Sequence, residues 1–274
     1  MIRQLLPQAL KEPLKRIYKN VVDRGELLLG MRDVLTPPRS RIFIGAGDFK
    51  LVGQEFKRHF INNGGLKPHE SVLDVGCGIG RMAIPLTDYL TSPGQYEGFD
   101  IVRQGIEWCQ RTVTPRFPNF RFQLADVHNS HYHPEGRYQA HDYRFPFADN
   151  RFDFVFLTSV FTHMPVRETE HYIAEISRVL KPGGRCFATF FILNEESRRL
   201  MAGEGSTYNF QYELNGRYIF DPKDPDLGTA FNDSQVSSML EKHGLSAQNS
   251  IYPGSWCGRK DTLSFQDVVV AHKH

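Results

Sequence analysis

The run Val72-Leu73-Asp74-Val75-Gly76-Cys77-Gly78-Ile79-Gly80-Arg81 constrains this chain more than any other segment. A short β-rich stretch enters three glycines spaced G-x-G-x-G, and a helical pattern follows. Glycines let the backbone approach a ligand closely, and a helix start beyond them favours an anionic group. Two common alternatives fall away. A dinucleotide fingerprint needs G-x-G-x-x-G, and Arg81 stands where its third glycine belongs. A phosphate loop needs Gly-Lys-Ser/Thr, which does not follow.

Around this turn, β-rich runs alternate with helical patterns, the signature of βαβ units and a parallel sheet. Strands are predicted at Ser71 to Val75, Tyr96 to Asp100, Phe120 to Ala125, Phe152 to Leu157 and Arg185 to Phe191. Helices are predicted from Gly80 through Met82, Ala83 and Leu86 to near Ser92, from Ile106 to Val113, and along Tyr172, Ile173, Ile176 and Leu180 until Lys181-Pro182-Gly183-Gly184. The last third predicts a hairpin over 209–220 turning at Asn215-Gly216, a loop over 221–228, a helix over 233–243 ended by Gly244, and two closing strands near 247–252 and 265–271. The chain thus reads as one domain over 59–274, with insertions at about 128–144 and 194–232. An N-terminal extension, 1–58, precedes it, with an amphipathic helix over 13–29 built on Leu14, Ile17, Tyr18, Val21 and Val22.

Composition excludes several classes. With 40% hydrophobic and 23% charged residues the chain is neither disordered nor fibrous. A net charge of +2 gives no reason to expect a nucleic-acid partner. No apolar run approaches the roughly 20 residues of a membrane-spanning helix. Four cysteines without C-x-x-C pairing are expected to be reduced thiols in a cytoplasm. The segment up to Arg58 carries twelve basic and six acidic residues. A solvated helix packed on the core is the first reading of it, and peripheral contact with an anionic membrane surface the second.

Several polar residues fall at predicted strand ends, where an open α/β sheet holds its ligand. Asp100, twenty residues after Gly80, offers two acceptor oxygens, suited to the hydroxyls of a ribose. Asp126 can accept from an exocyclic amine while the N–H of Val127 donates to a ring nitrogen, a pairing that suits adenine. His163, beyond the fourth strand, is a candidate general base, or else a histidine that packs or caps a helix start. His128, His131 and His133 lack convincing ligand spacing, so no metal is expected there. Tyr208, Phe210, Tyr212, Tyr218 and Phe220 alternate along the hairpin as an acceptor-stacking face or a satellite core, and Trp256 is either a further wall or buried.

Taken together, VLDVGCGIG, the acid of YEGFD, LADV, FPFADNRFDFVF and RVLKPGGR make the sequence resemble a class I S-adenosylmethionine-dependent methyltransferase over about Glu70 to Phe191. The resemblance implies a Rossmann-like, doubly wound, seven-stranded, mostly parallel sheet with an antiparallel last strand tucked between the fifth and sixth. It implies that Asp74, Gly76, Cys77, Gly78, Gly80 and Arg81 surround the methionyl and ribose portion of S-adenosyl-L-methionine. It further implies that Asp100 and Ile101 hold the ribose, that Asp126 and Val127 bracket the adenine, and that Thr158, Ser159 and Val160 line the methionyl end. The expected activity is methyl transfer to a small or medium polar acceptor, preferentially a hydroxyl of a glycan, glycolipid or related metabolite. A hydroxyl needs a base for its proton, hence the interest of His163. Transfer to nitrogen or carbon, or cofactor binding without catalysis, are the alternatives.

Overall fold

The computed structural model describes residues 21–26, 28–30, 32–43, 45 and 47–274. The elements that position the site are helix α1 (Phe49–Asn62), β1 (Ser71–Val75), α2 (Ala83–Leu86), β2 (Gln95–Asp100), α3 (Arg103–Thr112), β3 (Phe120–Leu124), β4 (Phe152–Leu157), α4 (Val166–Val179) and β5 (Leu180–Phe190). Then follow β6 (Ile192–Leu193), α5 (Glu195–Met201), β7 (Tyr212–Leu214), β8 (Arg217–Ile219), β9 (Thr229–Asn232), α6 (Asp233–Lys242), β10 (Leu245–Ser246), β11 (Ile251–Tyr252) and β12 (Asp267–Lys273).

Seven strands run in the order β10-β12-β5-β4-β1-β2-β3, with β11 paired to β12 as an eighth. β5, β4, β1, β2 and β3 are parallel neighbours, while β12 lies antiparallel between β5 and β10. Strand side chains alternate between faces, so each inner strand feeds two cores. Val72, Phe154 and Phe156 pack on one face with Phe56 and Phe60 of α1 and Ile106 and Trp108 of α3. Leu73, Val75, Val155 and Leu157 pack on the other with Tyr172, Ile173 and Ile176 of α4 and Val236 and Leu240 of α6. Helices on both faces of a mostly parallel sheet give the doubly wound architecture the sequence predicts.

A second sheet, β6-β9-β8-β7, was not predicted beyond its hairpin. The hairpin turns where expected, with Asn215 at φ 50° and Gly216 at φ 80°, the left-handed pair of a two-residue turn. The sheet rests on a third core of Phe191, Leu193, Met201, Phe210, Ala230, Trp256 and Cys257, joined by Tyr208, Tyr218 and Phe220. The satellite-core reading therefore holds for Tyr208, Phe210, Phe220 and Tyr218, whose ring Arg198 also covers at 4.7 Å, whereas Tyr212 is exposed. Trp256 is fully buried and walls no open surface; its Nε1–H donates to Asp267 Oδ2 at 2.7 Å.

Four predicted elements need correction, the first being the closing strand near 247–252, which shrinks to β11 over Ile251–Tyr252. The helix after the glycine turn has only four residues, because Thr87 tightens the next turn, its N–H and hydroxyl both donating to the Ile84 carbonyl. β5 starts at Leu180 instead of Arg185. Its register against β4 jumps from Phe152–Leu180 to Phe154–Arg185, so Lys181 to Gly184 bulge opposite Asp153, whose carboxylate Lys181 holds at 2.8 Å. The domain boundary drawn at 58 falls inside α1, whose Phe49, Phe56 and Phe60 belong to the main core, so the extension ends before residue 49.

Of the predicted helix over 13–29, residues 13–20 lie outside the described residues; 21–26 and 28 are helical. Asp23 anchors this helix. Its buried carboxylate accepts from the N–H groups of Arg39 and Ser40 and from the Ser40 hydroxyl. Among the described residues no helix is long and apolar enough to cross a membrane.

Candidate functional site

The glycine turn leaves β1 and folds back on the end of β2. Gly76, Gly78 and Gly80 all have positive φ, at 82°, 58° and 79°. The Phe99 carbonyl takes the N–H groups of both Gly76 and Cys77, and the Cys77 carbonyl takes that of Gly80. A Cβ on Gly76 would lie 2.6 Å from Val160 Cγ2, so the turn and the segment after β4 touch through the missing side chain. The two expected walls of the methionyl pocket are thereby adjacent.

Asp100 ends β2 directly beneath the turn. Its Oδ2 accepts from the Gly78 N–H at 2.8 Å and its Oδ1 from the Val102 N–H at 2.8 Å. Burial pushes this carboxyl up, while the N–H groups of Val102, Gly78 and the half-buried Ile101 act in the opposite direction. Each oxygen keeps a second lone pair for a hydroxyl donor.

Asp74 departs from expectation. It is 1% exposed and set behind the turn, where Tyr96 OH donates to its Oδ2 at 2.6 Å and its Oδ1 has no partner. Desolvation, opposed by the Tyr96 bond and reinforced by the charge of Asp100, raises its pKa to about 8. Asp74 supports the turn from inside the core. Cys77 is likewise buried.

The short α2 begins two residues past Arg81, too far on and too brief to act as an anion site by its dipole. Arg81 supplies the positive charge instead. Its guanidinium is largely removed from water, its Nε has no partner, and none of its nitrogens meets a carboxylate among the described residues. Gly45 comes close here: a Cβ on it would lie 3.3 Å from Arg81 Nη2.

After β3, Asp126 is exposed. Its Oδ1 accepts from His133 Nε2 at 3.0 Å and from the Arg137 N–H at 3.2 Å, and the His133 bond, followed by the Arg137 N–H, holds the carboxyl below the usual range. Val127 is buried and bridges to Tyr138. The Ala125 N–H goes to the Asp100 carbonyl and the His128 N–H to that of Tyr138. The first insertion thus folds back on the expected adenine end. Two other histidines there have their own partners: His128 Nδ1 donates to the Pro134 carbonyl and His131 Nε2 to Asp224 of the loop after the hairpin.

After β4, Thr158 is half-buried and Ser159 takes a left-handed φ of 58°, held by its N–H donating to Thr189 Oγ1 and its hydroxyl to Gln266 Oε1. A non-glycine residue in this conformation is strained, and such strain gathers at functional sites. His163 closes a single helical turn, Phe161–His163. Its ring is exposed, and Nδ1 lies 3.0 Å from the Asp226 carbonyl. A carbonyl only accepts, so Nδ1 carries the proton and Nε2 the lone pair. Asp226, from the loop after the hairpin, is a hydrogen-bond partner of His163 that the sequence did not reveal.

Residues 72–184 match a family model described as a methyltransferase domain. The phthiotriol/phenolphthiotriol dimycocerosates methyltransferase 1 of Mycobacterium ulcerans is 34% identical over 113 residues, 41% of this chain and 34% of that protein. The sterol 24-C-methyltransferase erg6 of Schizosaccharomyces pombe is 32% identical over 120 residues, 44% of this chain and 27% of that protein. The chain therefore spans about a third or less of these curated relatives. Among solved structures, the PH0226 protein of Pyrococcus horikoshii OT3 covers 86% of this chain and 95% of its own at 15% identity, with a TM-score of 0.57. The [4+2]-cyclase SpnF covers 85% and 84% at 17% identity, with a TM-score of 0.53. Those two likenesses concern the fold, and the second carries the name of a different reaction, so the fold does not by itself dictate the chemistry. The matching domain, on this sheet order and glycine turn, makes residues 72–184 similar to the methyltransferase domain of class I S-adenosylmethionine-dependent enzymes.

Proposed function

We propose that this protein transfers the methyl group of S-adenosyl-L-methionine to the hydroxyl of a small or medium polar acceptor, such as a glycan, glycolipid or related metabolite, with His163 as general base. The observation that carries the reading is the Nδ1–H to Asp226 carbonyl bond, which leaves Nε2 of an exposed imidazole able to accept a proton. The base stands three residues beyond Val160, which touches the glycine turn.

The residues present fit the cofactor. Gly76, Gly78 and Gly80 leave room for its close approach, Asp100 has lone pairs for the ribose hydroxyls, and Arg81, which meets no carboxylate among the described residues, is a cation suited to the methionyl carboxylate. Val127 would meet the adenine edge, with Asp126 beside it. When bound, S-adenosylmethionine supplies an electrophilic methyl on a sulfonium. The chain's part is to hold the acceptor oxygen in line, exclude water and take the acceptor's proton at Nε2 of His163. The loop 221–228 and the first insertion, tied together by the His131–Asp224 pair, are suited to cover the acceptor. All four cysteines are free, which supports a reducing cytoplasmic setting.

Transfer to carbon is the second reading, favoured by the relative named as a sterol 24-C-methyltransferase. The test begins with calorimetry of S-adenosylmethionine and S-adenosylhomocysteine, with NAD as control, and continues with an acceptor screen on wild type and His163→Gln. Selective binding and a loss of about a hundredfold or more in kcat on a hydroxyl acceptor are expected. Turnover on a carbon acceptor that survives the substitution would favour the second reading, and absence of cofactor binding would overturn both.

A further inference from the structure

We propose that Arg217 and Asp226 are positioning residues that fix the tautomer of His163. The inference rests on the reading of His163 as general base. It concerns two residues of the second insertion, far from the cofactor turn in sequence.

Arg217 opens β8 and is 5% exposed. Its Nη1 donates to Thr229 Oγ1 at 3.0 Å, on the neighbouring β9, and its Nη2 to Asp226 Oδ1 at 2.9 Å. A guanidinium taken out of water is costly unless paired, and removing one partner of such a pair leaves the other stranded. The pair is therefore a fixed strut between a paired strand and an otherwise irregular loop. Two further bonds shape that loop: the Leu227 N–H donates to the Asp224 carbonyl, and the Asp224 carboxylate accepts from His131. Clamped by Arg217 and by the first insertion, the Asp226 main chain turns its carbonyl to His163 Nδ1.

The chemical consequence follows from the donor count of imidazole. A neutral ring has one N–H and one lone pair, and the hydrogen bond made by one nitrogen determines what the other can do. In water a free histidine side chain favours the proton on Nε2, the wrong arrangement for a base acting through that atom. The Asp226 carbonyl reverses the preference. Side chain and main chain of one residue thus have separate tasks: the carboxylate is held by Arg217 and the carbonyl holds His163.

The experiment is long-range proton–nitrogen correlation spectroscopy of isotope-labelled full-length protein, with the His163 signals identified by their loss in His163→Gln. At a pH where the ring is neutral, wild type is expected to show a protonated Nδ1 and a bare Nε2. Asp226→Ala and, separately, Arg217→Met should each lower the ratio of the Nδ1–H to the Nε2–H form by about two- to tenfold, the worth of one ordered hydrogen bond. Asp226→Asn, which keeps a side-chain oxygen for Arg217, should restore the wild-type ratio. A merely structural pair would change thermal stability and leave the tautomer alone. A wild-type ring protonated at Nε2, or an unchanged ratio in folded Asp226→Ala, overturns the proposal. If Arg217→Met fails to fold, the Asp226 variants decide the question. None of these spectra needs cofactor or acceptor, so failure of the methyl-transfer reading, visible as absent calorimetric binding, is distinguishable from failure of this one.

Discussion

Replacing Asp74 with asparagine should flatten the alkaline part of the stability profile. Behind the glycine turn the Asp74 pKa stands at about 8 against 3.8 for an ordinary aspartate. A folded value above the unfolded one means that, between the two, the folded state binds a proton the unfolded chain has released. Stability then falls as pH rises, by about 1.4 kcal/mol per unit, from the unfolded value until pH passes the folded one. This contribution is fully present below about pH 4 and lost by about pH 9. From about pH 6 to about pH 9 the loss attributable to Asp74 is on the order of 2–3 kcal/mol. Asparagine copies the neutral acid in shape, keeps an oxygen for the Tyr96 hydroxyl, and does not titrate. Urea unfolding of wild type and Asp74→Asn at both pH values isolates the effect of Asp74 together with its coupling to Asp100, because titrating groups that do not interact with Asp74 cancel in the double difference. The variant should lose about 2–3 kcal/mol less than wild type over this interval. Parallel losses in the two proteins would mean that Asp74 is ionised in the folded state and that the account of a neutral acid under the turn is wrong.

Asp100→Ala should weaken S-adenosylmethionine binding by about 1.5–3 kcal/mol, measured by calorimetry, since it removes charge-assisted acceptors and frees the Gly78 N–H. Gly76→Ala should cost at least about 2 kcal/mol in urea unfolding, because a positive φ is strained for alanine and its methyl would meet Val160 at 2.6 Å. Trp256→Phe should cost about 1–3 kcal/mol in the same assay, as it takes one donor from the buried Asp267 carboxylate, which the Gly254 and Ile192 N–H groups would still hold.

What the sequence could reveal was local. Phe152 to Leu157 reads as a strand because its apolar residues serve both faces of a covered sheet, and β4 has those bounds. Asn215-Gly216 dictates its own turn. Asp74 had a usable signal that the motif obscured: in a strand it shares a face with Val72, which is core, so period-two alternation already turned it inward. The two-residue β6 and its pairing with β9 carry no periodicity of their own, and they form because Phe191 and Phe231 bring distant segments together. The bonds on which the proposed acceptor side rests, His163 to Asp226 and His131 to Asp224, join residues 63 and 93 positions apart through irregular loops, where neither spacing nor propensity gives a signal.

Asp267 makes the proposed acceptor side hard to transplant. Its carboxylate ties together the Ile192 N–H at the entry to the second sheet, the Gly254 N–H and the Trp256 indole, while its backbone lies within β12 of the main sheet and its neighbour Gln266 holds Ser159. Residues 194–232 look like an exchangeable cassette in the primary structure, yet their floor is Trp256 and their tether is a strand of the host. A chimera that moved the cassette alone into another scaffold would leave its aromatic underside without a floor. One that carried residues 254–267 as well would transfer floor, tether and the contact to Ser159 together, and is the smaller unit in which acceptor preference could be exchanged.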